Sequence, residues 1–148
     1  MIRSTLRTSF AFNREREDTI ERGLLVRTAD HATRYPPEAQ SAGAARRTVR
    51  AFCADHAIDV ADDAELLASE VMTNACRMAT GPVTMFLVAD DGALLCIISD
   101  DSVDRLPPAA LSTPMAESGR GLFVLDQLAG AWGATTTTSG KNVWFRLP

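Results

Sequence analysis

The stretch "ELLASEVMTNACRMATGPVTMFLVADDGALLCIISD", residues 65–100, combines one helical pattern with two strand patterns. Apolar residues recur at helical spacing in its first half: Leu67, Val71, Ala75 and Met78. Aspartates precede this pattern and Gly81-Pro82 ends it, as is typical of helix boundaries. Two runs of β-forming residues follow, joined by Asp91-Gly92, a dipeptide typical of a tight hairpin turn. The stretch therefore predicts a long helix followed by a hairpin, whose apolar second run "LLCIIS" indicates a central strand.

The residues upstream of this stretch add a strand and a helix. The sequence "HATRY", residues 31–35, predicts a short strand. Pro36-Pro37-Glu38 predicts a helix start, because proline fits the first turn and an early acid suits the helix dipole. The helix that follows carries one largely apolar stripe: Ala45, Val49, Phe52, Cys53 and His56.

The residues downstream of it complete the fold prediction. Residues 101–119 contain three prolines and no steady period, which is typical of a functional lid or a disordered segment. A helix over about 120–128 and a second hairpin around Ser139-Gly140 follow. The order β, α, α, β, β, loop, α, β, β predicts an α+β two-layer sandwich, with helices on one face of a mostly antiparallel sheet. We place the domain at residues 31–148 and leave residues 1–30 as an unassigned N-terminal extension.

Length and charge restrict the class of protein. A chain of 148 residues suits one domain with a real core. The net charge of −4 is uneven: residues 1–50 hold ten arginines and six acids, whereas residues 51–148 hold five basic and thirteen acidic residues. Lysine occurs once, at Lys141, so the clustered cations of nucleic-acid binding are missing. The charge pattern argues against direct nucleic-acid binding and favours a protein partner.

Location and cysteine content give further expectations. No apolar run approaches the roughly 18 residues of a membrane span, and the first residues lack the apolar segment of a signal peptide. We therefore expect a cytoplasmic protein without membrane contact. The three cysteines, Cys53, Cys76 and Cys96, are widely spaced among apolar neighbours and form no CxxC pair. They are predicted to be buried free thiols rather than a disulfide or a zinc site.

Glu70 and Asn74 are the first candidate site residues. They are four positions apart on the predicted long helix and so share one face. A carboxylate accepts a proton from an attacking hydroxyl or water, and an amide oxygen is a ligand that Mg²⁺ accepts. The alternative is an ordinary solvated helix face.

Two further features indicate a binding site. Asp100 closes an apolar strand, where its carboxylate is able to accept hydrogen bonds from a ligand amine, although a plain turn residue fits as well. Gly119-Arg120-Gly121 precedes a helical pattern, and the free amides and dipole of a helix start favour an anion. A glycine pair that only punctuates a loop is the alternative.

In this order the motifs resemble the ATP-binding domain shared by gyrase, histidine kinases and the MutL repair proteins, often called the Bergerat fold. Within it, the chain is similar to the small anti-sigma factor serine kinases and their actinobacterial relatives. The resemblance runs from about residue 31 to residue 148 and rests on four stretches: "ELLASEVMTNACRMA", "CIISDDS", "ESGRGLFVLDQLAGAWG" and "GKNVWFRLP".

The resemblance assigns roles to individual positions. Glu70 matches the acid that polarises the nucleophile, and Asn74 matches the Mg²⁺-binding asparagine. Asp100 matches the aspartate that accepts a hydrogen bond from the adenine amine. Gly119 and Gly121 match the glycines against the phosphates, under a lid of residues 103–118. Between them, Arg120 either adds charge to the phosphate site or faces solvent.

Three positions depart from the family pattern. Ser102 stands where the wider superfamily has the first glycine of its DxGxG box, so we expect altered geometry beside adenine. Met78 stands where close relatives carry histidine, which removes a polar contact. Asn142, on the last hairpin, replaces a usual threonine near adenine, and its amide is still able to hydrogen-bond.

These roles lead to an expected function. The resemblance implies a Mg²⁺-ATP-dependent protein serine/threonine kinase that binds a sigma factor, phosphorylates an antagonist and forms a homodimer. The first alternative is a nucleotide-sensing or partner-binding module that has kept the fold and lost catalysis. The second is an unrelated α+β domain with accidental motif matches.

Overall fold

The computed structural model describes residues 29–102, 125–136 and 138–148. These residues form five strands and two long helices: β1 (His31–Tyr35), α1 (Ser41–Asp55), α2 (Ala61–Met78), β2 (Val83–Asp90), β3 (Ala93–Asp100), β4 (Ala131–Thr136) and β5 (Lys141–Leu147). Residues 125–128 are also helical, which agrees with the end of the helix predicted over 120–128. The predicted order of elements is confirmed wherever the chain is described.

Helix α1 begins later than the prolines predict. The amide of Glu38 donates to the carbonyl of Pro36 over 2.8 Å, and the amide of Ser41 donates to Glu38 over 3.0 Å. The hydroxyl of Ser41 also donates to the carbonyl of Pro36. These bonds form a turn between β1 and the helix, so the predicted start at Pro36-Pro37-Glu38 is wrong. Four of the predicted stripe residues are buried, whereas His56 follows the helix and is exposed.

Helix α2 agrees closely with the prediction. Asp62 and Asp63 occupy its first turn and Arg77 its last, as the helix dipole favours. Its buried face is formed by Ala64, Leu67, Ala68, Ser69, Val71, Met72 and Ala75. Met78 was expected on this face, but its side chain is 40% exposed. The buried face ends at Ala75, so Met78 is the one residue of the predicted apolar stripe that is exposed.

The five strands form one antiparallel sheet in the order β1-β2-β3-β5-β4. The turn between β2 and β3 consists of Asp91 and Gly92, whose φ angles are 50° and 83°. Both central residues of a type I′ hairpin turn require positive φ, which explains this dipeptide. The predicted hairpin is therefore confirmed, and so is the second hairpin, between β4 and β5.

Side chains of the sheet alternate between two buried apolar clusters. The helix-side cluster contains Met85, Leu87, Cys96, Ile98 and Phe145, together with the buried faces of α1 and α2. The opposite cluster contains Phe86, Val88, Leu95, Ile97, Ala131 and Trp144. Strand β3 contributes to both, which confirms the central strand expected from its unbroken apolar run. Of the two tryptophans, Trp144 is buried and Trp132 packs partly buried against the helix-side cluster.

Exposed side chains tie the two helices together. Arg50 on α1 pairs with Asp62 over 2.7 Å and also with Glu65, both on α2. Because Arg50 and Asp62 are solvent-exposed and Glu65 is only half-buried, screening leaves these pairs a small stabilising effect. Apolar burial between the helices and the sheet therefore accounts for most of the stability. Within the described ranges no helix is both long and apolar enough to cross a bilayer.

Two adjacent leucines test this account of the core. Leu67 is fully buried, whereas Leu66 is 43% exposed. We expect Leu67→Ala to lower the free energy of unfolding by about 3–5 kcal/mol, because it leaves a cavity. The matched control Leu66→Ala should change it by less than about 1 kcal/mol. Urea denaturation followed by circular dichroism measures both values, and similar losses in the two variants would contradict the assigned helix face.

Candidate functional site

Asp100 is a buried carboxylate at the end of the central strand. Its side chain lies on the helix side of the sheet, since it follows Cys96 and Ile98 at alternate positions of β3. Oδ1 accepts a hydrogen bond of 2.7 Å from the amide of Ser102. Oδ2 is buried and has no hydrogen-bond partner among the described residues. A buried acceptor without a donor is costly, so this oxygen is a candidate ligand contact.

Lys141 faces Asp100 from the neighbouring strand. The two residues are direct partners in the β3–β5 register, and Lys141 Nζ lies 3.8 Å from Asp100 Oδ2. The exposed fraction is 9% for the lysine side chain and 1% for the aspartate side chain. Burial raises the pKa of the Asp100 carboxyl, and the Ser102 amide and the Lys141 ammonium offset part of this effect. The site therefore contains opposite charges removed from solvent.

The residue before this lysine brings the two strands together. A Cβ atom on Gly140 would lie 1.9 Å from the carbonyl oxygen of Asp100, so only glycine fits there. Close approach of the backbone at Gly140 thus fixes the start of β5 against the end of β3.

Asp101 ties the end of α2 to the same place. Its Oδ1 accepts from the amide of Thr80 over 2.9 Å, and its Oδ2 accepts from the Thr80 hydroxyl over 2.7 Å. The Thr80 hydroxyl and amide hold the pKa of Asp101 below its usual value. Cys76, one turn earlier, has a pKa raised by burial and further by the Asp100 charge. The last turns of α2 therefore lie within electrostatic reach of Asp100.

Glu70 and Asn74 share one face of α2, as predicted. Both are half-buried and border the buried stripe that contains Val71 and Ala75. Within the described residues, no hydrogen bond or ion pair occupies either side chain. Met78 continues this face toward solvent. The carboxylate and the amide therefore lie one turn apart on the same side of α2.

The other predicted site residues fall into three groups. Ser102 is buried and joined to Asp100, so the structure brings these two together. Asn142 lies on the opposite side of the sheet, where its Oδ1 accepts from the Ser99 hydroxyl. The structure does not bring it to Asp100, because strand neighbours alternate between faces. Gly119, Arg120 and Gly121, with the lid over 103–118, lie outside the described residues.

The sequence reasoning missed Gly140 and Lys141 as site residues. One signal was present, because the only lysine of the chain follows a glycine at the start of an apolar strand. A lysine is seldom buried without a partner, so its place in that strand implied an acid nearby. The partner itself depends on strand register, which the sequence did not supply.

Both histidines line a different cleft. It has a volume of about 370 Å³ and lies between β1 and α1, where Phe52 stacks on His56 with ring centroids 4.0 Å apart. The cleft is at the other end of β1 from the Asp100 site. His31 begins β1, whereas Tyr35 ends it and pairs with the beginning of β2, close to the end of β3 where Asp100 lies. None of the predicted site residues lines this cleft.

No group of metal-binding side chains occurs in the described part of the chain. Cys53 and Cys96 are buried free thiols, whereas Cys76 is a free thiol that is only partly buried, so the prediction of burial is wrong for Cys76.

Comparison with known proteins identifies the family. The family model described as "Histidine kinase-like ATPase domain" matches residues 21–147. The chain belongs to this family. A histidine kinase-like ATPase domain supports ATP binding and a kinase-like role as the general function, and the observed α+β sandwich is the fold expected from the resemblance.

Other comparisons are more distant. No curated protein matches this histidine kinase-like ATPase domain. Among solved structures it is similar to the histidine kinase domain from Erythrobacter litoralis EL346 blue-light activated histidine kinase. That match has 18% identity and a TM-score of 0.47, and it covers 76% of this chain and 61% of that chain.

The close approach at Gly140 gives a direct test of the site geometry. Gly140→Ala should lower the Tm by at least about 3 °C, because the added methyl group separates β5 from β3. The matched control is Gly43→Ala in α1, where an added Cβ makes only ordinary contacts with flexible arginine side chains. Its Tm should be unchanged or higher, since alanine favours a helix. Thermal denaturation measures both, and a stable Gly140→Ala variant would contradict the described strand contact.

The bond between Asp101 and Thr80 should make stability depend on pH. Because the folded state lowers the pKa of Asp101, its contribution is present above the usual carboxyl pKa and is lost as pH falls through the folded value. Asp101→Asn should therefore lower the Tm at pH 7, and the difference from wild type should shrink toward pH 3. Asp59→Asn, in an exposed loop, is the control. A pH-independent difference would show that the charge of Asp101 is not involved.

Proposed function

We propose that the chain binds Mg²⁺-ATP and transfers phosphate to a serine or threonine of a partner protein, as an anti-sigma factor kinase does. The observation that supports this most directly is the buried Oδ2 of Asp100, which lacks a donor in a histidine kinase-like ATPase domain. The amino group of adenine supplies such a donor. A sigma factor and its antagonist as partners, a cytoplasmic location and a homodimer belong to the same proposal.

The residues of α2 fit a magnesium ion and a nucleophile. Asn74 offers an amide oxygen and Glu70 a carboxylate, both half-buried and on one face. Mg²⁺ prefers oxygen ligands and keeps several waters, so one amide oxygen beside substrate phosphates suits it. When bound, Mg²⁺ neutralises charge on the phosphates. Gly119, Arg120 and Gly121 remain the proposed phosphate contacts on the basis of the sequence resemblance.

In the proposed reaction Glu70 orients the partner's hydroxyl and accepts its proton. The hydroxyl oxygen forms a bond to the γ-phosphorus, and the bond between this phosphorus and the bridging oxygen of ADP breaks. ADP leaves with that electron pair, and the phosphorylated partner is released. Asp100 binds the adenine of ATP throughout the reaction. Positioning of ATP and the partner's hydroxyl therefore accounts for most of the catalysis.

A second function rests on the exposed apolar residues of α2. Leu66 and Met78 are 43% and 40% exposed, although both are large and apolar. The two side chains are separate points on the helix rather than one patch, and each is able to contact a partner protein. The second function is therefore a nucleotide-sensing or partner-binding module that does not transfer phosphate. Such a module would use Asp100 and the exposed apolar side chains, and it would not need Glu70.

A transfer assay separates the two functions. Purified protein, labelled ATP, Mg²⁺ and a candidate antagonist should give a phosphorylated antagonist, and EDTA should abolish it. Glu70→Gln should reduce transfer by about 100-fold or more, in line with the loss of general base catalysis, while ATP affinity changes little. Glu65→Gln is the matched control, because it removes a half-buried glutamate of the same helix that pairs with Arg50.

The outcomes are distinct. Equal transfer by Glu70→Gln and wild type would remove Glu70 from the mechanism. ATP binding without transfer to any antagonist would favour the sensing module. Absence of ATP binding by calorimetry would overturn the proposal as a whole.

A further inference from the structure

The Asp100–Lys141 pair is an incomplete ion pair in a buried place. Nζ and Oδ2 are 3.8 Å apart, which is beyond hydrogen-bond distance, and no other donor in the described part of the chain reaches Oδ2. Buried charges that serve only to neutralise each other are usually closer and hydrogen-bonded, since this offsets their desolvation. Here Oδ2 of the carboxylate is an acceptor without a donor among the described residues, and the ammonium lies 3.8 Å from it.

The positions of the two groups are set by the backbone. They are direct partners across β3 and β5, both on the helix side of the sheet. The absence of a side chain at Gly140 allows the two strands to approach closely at this point. Asn142, the other polar side chain at the start of β5, faces the opposite side and bonds Ser99. The donor next to Asp100 is therefore lysine.

The two groups have strict and opposite hydrogen-bonding roles. A carboxylate only accepts and an ammonium only donates. The adenine edge offers an amine donor at N6, which the carboxylate accepts. The guanine edge offers an oxygen acceptor at O6 and a donor at N1. A carboxylate alone would repel O6, whereas an adjacent ammonium binds it while the carboxylate accepts from N1–H.

We infer that Lys141 is a base-specificity residue that admits 6-oxopurine nucleotides, such as GTP and ITP, to the site beside ATP. This inference rests on the proposed nucleotide-binding function of Asp100. The pair of one acceptor and one donor matches two neighbouring atoms of either purine edge. The site is thus a purine nucleotide site rather than one restricted to adenine.

Binding measurements with three nucleotides test the inference on the full chain. Calorimetry with Mg²⁺ and ATP, GTP or ITP should give GTP and ITP affinities within about tenfold of the ATP affinity. Lys141→Met should lower the affinity for GTP and ITP by about 10–100-fold more than that for ATP, as expected for loss of a charged hydrogen bond. Lys141→Arg, which keeps the donor and the charge, should retain most GTP binding. ITP lacks the 2-amino group of GTP and so isolates the contact with O6.

A second measurement does not depend on the folding of a variant. Wild-type protein should bind 6-thio-GTP more weakly than GTP, because sulfur is a poor hydrogen-bond acceptor. Circular dichroism of Lys141→Met shows whether that variant is folded. If that variant is unfolded, the comparison of GTP with 6-thio-GTP affinity in the wild-type protein decides whether a donor binds the purine O6.

Each result has a definite meaning. Tight ATP binding with no GTP or ITP binding overturns the inference and leaves the proposed function intact. An equal loss of all three nucleotides in folded Lys141→Met, or equal affinities for GTP and 6-thio-GTP, also overturns it. Failure of every nucleotide to bind overturns the proposed function as well.

Discussion

Burial of β3 on both of its faces is the constraint from which the rest of the structure follows. Its side chains fill the helix-side cluster and the opposite cluster alternately, so the strand cannot shift without exposing apolar surface. The same fixed register carries Asp100 into a place shielded from water. Desolvation disfavours the ionised carboxylate there, and the Ser102 amide and Lys141 ammonium compensate in part. The polar site is thus built at the end of the most apolar strand.

Local patterns in the sequence were sufficient for most of the fold. Helix α2 and the Asp91-Gly92 hairpin were predictable because spacing and turn chemistry act over a few residues. The start of α1 was missed because Pro36 and Ser41 form a turn of their own. The exposure of Met78 was missed because amphipathic spacing does not show where the buried face of a helix ends. The site was predicted less completely. A side chain at a strand start faces one side or the other according to register, so Lys141 rather than Asn142 stands beside Asp100.

The helix part and the sheet part of the site are connected by few hydrogen bonds between the described residues. Glu70 and Asn74 belong to α2, whereas Asp100 belongs to the sheet. Near the site the side chain of Asp101 joins them, through its two bonds to Thr80. These bonds are exposed, so water competes with them more than with any contact in the core. The packing of α2 in the helix-side cluster therefore holds the proposed catalytic face in place more firmly than these two bonds do.

At the Asp100 site, the shape of the backbone and the hydrogen-bonding character of the pocket depend on two different residues. Because no side chain fits at position 140, the backbone frame there cannot be reshaped by substitution. The hydrogen-bonding character of the pocket is set instead at the next position, whose side chain is free to differ while the strands keep their pairing. Exchange of this residue would thus alter the proposed ligand preference within an unchanged strand pairing, at a cost in stability, because the Asp100 carboxylate loses its neighbouring cation.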